Sequence, residues 1–239
     1  MAFPQLDALC AMGDPQKAAE MATYHKAPRP YLGVAVPAID GLVRGWREEL
    51  DVPGRVALAA ALWDSDVHEA RVAAAKLLVQ ARIRPDDAAW RLIAGWVPQF
   101  DGWAVADHAM KAGERRLLAD PRRLDEVEAW LEHPNLWTRR AALVGTLPWT
   151  HLRNPKPDDL AQRERILPWL VRLAPDRETF IQKAIGWWLR ELSKHDPQRV
   201  RDWLADHGAT LKPLARREAA RWLPENRSRR GEAGQGGQP

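Results

Sequence analysis

The sequence predicts an all-α fold, an α-solenoid of the HEAT-like or armadillo type in which antiparallel helix pairs stack and leave a concave, basic groove. Three observations carry this. Apolar residues recur at helical spacing along almost the whole chain, while the period-2 alternation of strands hardly occurs. Acidic residues stand directly before prolines at Asp14-Pro15, Asp120-Pro121 and Asp196-Pro197, the order in which a capping carboxylate precedes a residue suited to the first helical turn. Successive helix pairs span roughly 35 to 45 residues, the period of stacked helical hairpins. No strict sequence repeat accompanies that period, and an irregular helical bundle fits the same pattern.

Taken in order, the predicted helices cover 14–26, 36–49, 53–63, 66–82, 85–97 and 103–118, then 121–131, 135–147, 158–172, 176–194, 197–206 and 212–222. Asp14, Asp120 and Asp196 open three of them, and Arg84-Pro85-Asp86-Asp87 places acids at the start of another. The Pro-rich stretch from Thr150 to Asp159 reads as an exposed loop. Residues 1–223 are expected to form one helical-repeat domain. Residues 224–239, in which Asn226-Arg227-Ser228-Arg229-Arg230 is followed by Gly, Gln and Pro, are expected to be a disordered tail.

Composition narrows the function classes. A hydrophobic content of 46% is enough for a sizeable core. Lys and Arg number 36 against 32 Asp and Glu, a net charge of +4 that permits an anionic partner without demanding one. With Cys10 as the single cysteine there is no disulfide framework, and the seven histidines lack ligand spacing, so no metal or cofactor is expected. The start of the chain lacks a basic region followed by an apolar run, and no stretch approaches the ~20 apolar residues of a membrane span. A cytoplasmic protein without a membrane partner is expected. Thirteen tryptophans against three phenylalanines is an unusual balance; most of these indoles belong in the core, where they bury large apolar area.

Three segments stand out. On a wheel of 100° per residue, Phe180, Ile181, Ala184, Ile185, Trp188, Leu189 and Leu192 fill one half of the 180–194 helix. The other half holds Lys183, Trp187, Arg190 and Lys194, with Gln182, Gly186 and Ser193 beside them. A tryptophan among cations is either a cation–π packing cluster or part of a nucleic-acid surface, and the pattern leaves both open. In the second segment Trp103 and Asp107, four residues apart, share a helical face, while Val105, Ala109 and Ala112 point to the core. In the third, Arg140 lies near the apolar arc of Trp137, Ala141 and Val144, so it either pairs internally or reaches a neighbouring groove.

These segments, in this order, resemble the AlkD family of bacterial DNA glycosylases, all-helical proteins of HEAT-like repeats that excise alkylated purines. The run Phe180-Ile181-Gln182-Lys183-Ala184-Ile185-Gly186-Trp187-Trp188-Leu189-Arg190-Glu191 is similar to that family's most recognisable stretch, and Arg216-Arg217-Glu218-Ala219 follows at the expected distance. Met21-Ala22-Thr23-Tyr24 and Tyr31-Leu32-Gly33-Val34 with Pro37 match the N-terminal signature. The resemblance extends to about Leu223. It implies that Asp107 is the catalytic carboxylate, that Trp103, Trp187 and Tyr24 line the cleft, and that Arg140 and Arg190 contact DNA, with Lys183 on the phosphates. One position departs: the family usually reads Trp-Asp-x-Val-Asp, and here the segment is Trp103-Ala104-Val105-Ala106-Asp107. Any capping role of the missing acid is then absent or falls to Asp101.

What the resemblance implies is a monomeric, cofactor-free and monofunctional glycosylase acting on duplex DNA that carries cationic N3- or N7-alkylated purines. Asp107 would stabilise the developing oxocarbenium and orient water. Family members work on the backbone of the lesion nucleotide without enclosing the base. The alternative from a different class is a non-catalytic DNA-binding or protein-interaction scaffold on the same fold.

Overall fold

The computed structural model describes residues 3–223, so the tail expected at 224–239 lies outside the described residues. Among the described residues every regular element is helical, with thirteen α-helices linked by short 3-10 turns and loops. Among them no helix is long and apolar enough to cross a membrane. The chain divides between Asp120 and Pro121 into two compact units.

The first unit contains α1 (Pro4–Ala11), α2 (Pro15–His25), α3 (Val36–Glu49), α4 (Val52–Asp64), α5 (His68–Leu77), α6 (Asp87–Trp96) and α7 (Trp103–Ala119). Its centre is α5, which packs against α1, α3, α4 and α7. That position explains its composition. Every residue of α5 but Lys76 is buried, and the run Val72-Ala73-Ala74-Ala75 lets four neighbours approach closely. Trp63 and Trp96 stack with ring centroids 4.3 Å apart beside it, and Arg71 lies over the Trp63 ring at 4.6 Å.

The second unit contains α8 (Leu124–Ala129), α9 (Leu136–Val144), α10 (Pro157–Leu173), α11 (Thr179–Ser193), α12 (Pro197–His207) and α13 (Pro213–Ala219). Here α11 is central, packed against α9, α10, α12 and α13.

All twelve predicted helices are present, with shifted ends. The cap signals act as expected at two places: Asp14 accepts from the Gln16 and Lys17 amides, and Asp196 from the Arg199 amide. At Asp120-Pro121 the chain instead forms a 3-10 turn, Pro121–Arg123, that leads into the short α8. The helix predicted at 66–82 ends at Leu77. The sequence reading missed α1, whose proline at the first position was a usable signal, but whose single buried residue, Leu9, leaves almost no periodicity to detect.

Eight of the thirteen tryptophans (Trp46, Trp63, Trp90, Trp96, Trp149, Trp169, Trp188 and Trp203) are buried, which confirms the structural reading for most of them. Trp103 and Trp187 are among those left partly open.

Candidate functional site

In the first unit the site is built where the loop after α2, the start of α5 and the start of α7 converge. The loop is fixed from below by Glu69. Its carboxylate, wholly buried, accepts hydrogen bonds from the backbone amides of Leu32 (3.0 Å), Gly33 (2.8 Å) and Val34 (3.3 Å). A buried carboxylate satisfied by three amides is a strong, directional anchor. Gly33 is required on the same stretch, because its φ is +80° and an added Cβ would lie 2.2 Å from the Asp14 carbonyl oxygen.

With the loop so held, Tyr31 and the ring of His68, the first residue of α5, stack at 4.8 Å. His25, the last residue of α2, stacks on His68 at 4.7 Å and lies 5.6 Å from Trp103, the first residue of α7. Tyr24 meets Trp103 edge to face at 6.1 Å. Two of the residues implicated by the resemblance, Tyr24 and Trp103, are therefore brought together, and the wall they belong to contains two histidines that the sequence reading had set aside as scattered. No spacing could have paired them, since His25 and His68 meet only through the fold. Burial keeps both imidazoles neutral: His68 is pushed down to about 3 by desolvation, reinforced by His25, Arg29 and His108, and burial lowers His25 against the opposing pull of Glu69. Among the described residues no group of three or more potential ligands forms a metal site.

Asp107 stands one turn beyond Trp103 on α7 and is half-buried, while Val105, Ala109 and Ala112 are in the core as expected. Next to it, His108 is held neutral by burial and by Lys76, with Asp107 and Asp40 pulling the other way. Asp101 does not replace the missing acid as a cap. The N-cap of α7 is Gly102 without a side-chain bond, and Asp101 is paired instead with the buried guanidinium of Arg29. Arg29 also faces Asp66 at 3.4 Å, and Asp66 pairs with Arg71 at 3.0 Å, so one arginine ties together the residues that precede α5 and α7.

In the second unit α11 carries the other predicted residues, and its exposed face is narrower than the wheel suggests. Gln182, Gly186 and Ser193, read as neighbours of the cations, are buried. The Gln182 amide donates to the carbonyls of Ala174 (2.9 Å) and Asp176 (2.8 Å) and accepts from the Lys212 amide (2.7 Å). At Gly186 an added Cβ would lie 3.0 Å from the Ala215 carbonyl, so the glycine lets α13 close against α11. Phe180, expected in the core, sits at its edge, with Trp137 at 4.7 Å and the Lys183 ammonium 5.2 Å over its ring.

What remains open on α11 is Lys183, Trp187, Arg190 and Lys194, together with Glu191. Arg190 is bound by Glu191 (2.8 Å) and by Glu218 of α13, and Lys194 pairs with Glu191 at 2.6 Å. Burial works against an ionised Glu191, but Lys194 and Arg190 outweigh it and hold the carboxyl below its usual range. The cation–π alternative for Trp187 is not what the described residues form: Lys183 goes to Phe180 and Arg190 to two carboxylates, and among the described residues the half-buried Trp187 has no ring or cation partner. Arg140 is only 6% exposed. Its neighbour Arg139 is tied to Asp176 at 2.9 Å and to the His133 and Pro134 carbonyls.

A protein family described as "DNA alkylation repair enzyme" matches residues 5–223. No curated protein matches the chain. Among solved structures, "Predicted DNA alkylation repair enzyme from Enterococcus faecalis" is similar at 24% identity, covering 90% of this chain and 98% of that one, with a TM-score of 0.75. The structure of AlkD2 from Streptococcus mutans is similar at 20% identity, 88% and 99% coverage and a TM-score of 0.60. That of smu.31 from Streptococcus mutans UA159 matches at 21% identity, 79% and 92% coverage and a TM-score of 0.60. At these identities the likeness establishes the fold, an AlkD-type arrangement of helical repeats.

Proposed function

The chain belongs to the DNA alkylation repair enzyme family, and from that premise we propose that it is a monofunctional DNA glycosylase that removes cationic N3- and N7-alkylated purines, such as 3-methyladenine and 7-methylguanine, from duplex DNA. The observation that carries this reading is the placement of Asp107 one helical turn beyond Trp103 at the start of α7, with Tyr24 edge-on to the indole. A half-buried carboxylate beside a wall of aromatic rings suits the stabilisation of a cationic sugar.

Alkylation leaves the purine positively charged. When the bond from C1′ to the base nitrogen breaks, its electron pair neutralises the purine, so no general acid is needed. The positive charge passes to the deoxyribose, where the Asp107 carboxylate and the π-face of Trp103 stabilise it; the resemblance assigns Trp187 the same task. Water then adds to C1′, oriented by Asp107, and its proton is lost to solvent through the carboxylate.

Tyr24, Arg140, Lys183 and Arg190 hold the DNA backbone in this reading, which gives binding that is salt-dependent and nearly indifferent to sequence. Lys183 is exposed and, among the described residues, without an ion pair, which makes it the most available of these cations. Arg140 would contribute only through the edge of a largely buried guanidinium. In this reading the protein acts as a monomer in the cytoplasm and needs no cofactor.

The competing reading is a DNA-binding scaffold without chemistry, favoured by Ala104 in place of an acid and by the pairing of Arg190 with Glu218. Release of 7-methylguanine and 3-methyladenine from methylated duplex DNA separates the two. The wild type is expected to release both, and Asp107→Asn to do so about 10²- to 10³-fold more slowly. Equal release by the two proteins, or none by the wild type, would sink the catalytic assignment.

A further inference from the structure

The wall beside Asp107 has a hub. Among the described residues, His25 pairs with all four other rings: Tyr24 at 5.0 Å, Tyr31 at 6.0 Å, His68 at 4.7 Å and Trp103 at 5.6 Å. The interplanar angles give it a turning role. Its ring is parallel to Tyr31 within 3° and near-parallel to His68 at 24°, yet tilted 51° to Trp103 and 76° to Tyr24. The flat stack on the buried side is thus converted at His25 into the tilted and edge-on contacts of the open side.

We propose that His25 is a positioning residue for excision: packed on His68 and Tyr31, its ring sets the orientation of Trp103 and Tyr24 against the lesion nucleotide. The proposal rests on the reading of Asp107 and Trp103 as the excision site.

The backbone supports that role. Helix α2 stops at His25 because Lys26 adopts a left-handed conformation, φ +58°, with its amide returned to the Ala22 carbonyl at 3.0 Å. This places the imidazole at a corner, next to the loop that Glu69 secures. On the far side Trp103 is held at the head of α7 by the Arg29 to Asp101 pair. The ring is thereby confined between two anchored segments, while Tyr24, at 68% exposure, rests on it and on Trp103. Among the described residues the buried Nδ1 atoms of His25 and His68 have no hydrogen-bond partner, and the two rings meet by their faces. Such contacts are individually modest, but they act on orientation. A displacement of about 1 Å at a reacting centre costs up to ~100-fold in rate.

A pair of variants tests this. His25→Leu removes the flat ring, and His25→Phe restores it. Each protein is labelled with 5-fluorotryptophan, and the fluorine resonance of Trp103 is identified as the one lost in Trp103→Phe. In His25→Leu that resonance is expected to shift and broaden, single-turnover release of 7-methylguanine to fall about tenfold, and the Kd for undamaged duplex to change by less than about twofold. In His25→Phe both the resonance and the rate are expected to return towards wild type. An unmoved Trp103 resonance in the leucine variant overturns the proposal, as does a phenylalanine variant no better than leucine. Should His25→Leu fail to fold, His25→Gln, polar and without a ring, takes its place under the same criteria. A wild type that releases no base sinks the excision site itself, and the Trp103 resonance then still decides whether His25 orients the indole.

Discussion

The two units use charge in opposite ways. In the first, charged groups are spent inward on architecture: Glu69 holds three loop amides, and Arg29 draws together Asp66 and Asp101. The histidines of the candidate site are kept neutral by burial, and Lys76, which helps to hold His108 neutral, is itself paired with Asp40. In the second, Arg140 and Arg123 are buried, but many ion pairs lie at or near the surface, where the charges cancel. Arg165 and Arg172 meet Asp125, Glu128 and Glu132, Arg199 meets Glu164, and Arg190 meets Glu191 and Glu218. A net charge of +4 therefore says little about where a phosphate can bind. What counts is which cations lack a carboxylate, and on α11, among the described residues, that is Lys183.

The first unit's dependence on its internal anchors can be broken most sharply at Gly33. Gly33→Ala would force a Cβ to 2.2 Å from the Asp14 carbonyl oxygen and 2.7 Å from the Ala18 amide nitrogen at a φ of +80°. Both obstacles are backbone and cannot swing aside. A loss on the order of 3 kcal/mol is expected, read as a lower urea midpoint. Gly41→Ala is the control, since nothing lies within 4 Å of its added Cβ and the position is in the interior of α3. It should be neutral or stabilising by up to about 1 kcal/mol. If the two variants melt alike, the loop is not the anchor that its geometry indicates.

A second break uses the neutral stack. His68 titrates at about 3 in the folded protein against 6.5 for an ordinary histidine. Its folded pKa is depressed, so between those values the unfolded chain binds the extra proton. The stabilisation from keeping His68 neutral is complete above pH 6.5 and is lost progressively as the pH falls towards 3. His68→Phe keeps a flat ring that cannot be protonated. Its stability should fall less steeply over that window than that of the wild type, with His25 and His108 supplying the remaining slope in both proteins. Urea unfolding at pH 7, 5.5 and 4.5 measures this, and parallel slopes would mean that His68 is solvated in solution.

Much of the second unit's architecture could be read from periodicity because α11 is amphipathic and Asp196 is a capping residue followed by proline. The error there was to equate polar with exposed: Gln182 is polar and wholly internal, since its amide satisfies two carbonyls and one amide that no helix ladder could. In the first unit Trp103 and Asp107 could be placed on one face from their spacing alone. The rest of the wall could not, because Glu69 acts 36 residues from Gly33, and His25 and His68 meet through tertiary packing that leaves no local pattern. The resemblance marked Tyr31-Leu32-Gly33-Val34 as a signature, and the positive φ of Gly33 and the Glu69 anchor supply its physical cause.

The contrast between paired and unpaired cations is sharpened by three variants on and beside α11, read as excision and as affinity for undamaged duplex. Trp187→Ala should lower single-turnover excision by roughly tenfold and affinity much less, because its proposed role is at the sugar. Arg190→Ala should lower both by a few-fold; equal losses in both measures for Trp187→Ala would mean that the indole only packs. The smallest effect, and the most informative about charge, is expected from Glu218→Gln. Its carboxylate is 29% exposed and competes with any phosphate for Arg190. Neutralising it should tighten binding to undamaged duplex by about two- to threefold at low salt, with the gain fading near 0.3 M as screening weakens surface electrostatics. Unchanged or weaker binding in Glu218→Gln would show that Arg190 serves α13 and not DNA, leaving Lys183 as the principal phosphate contact on this helix.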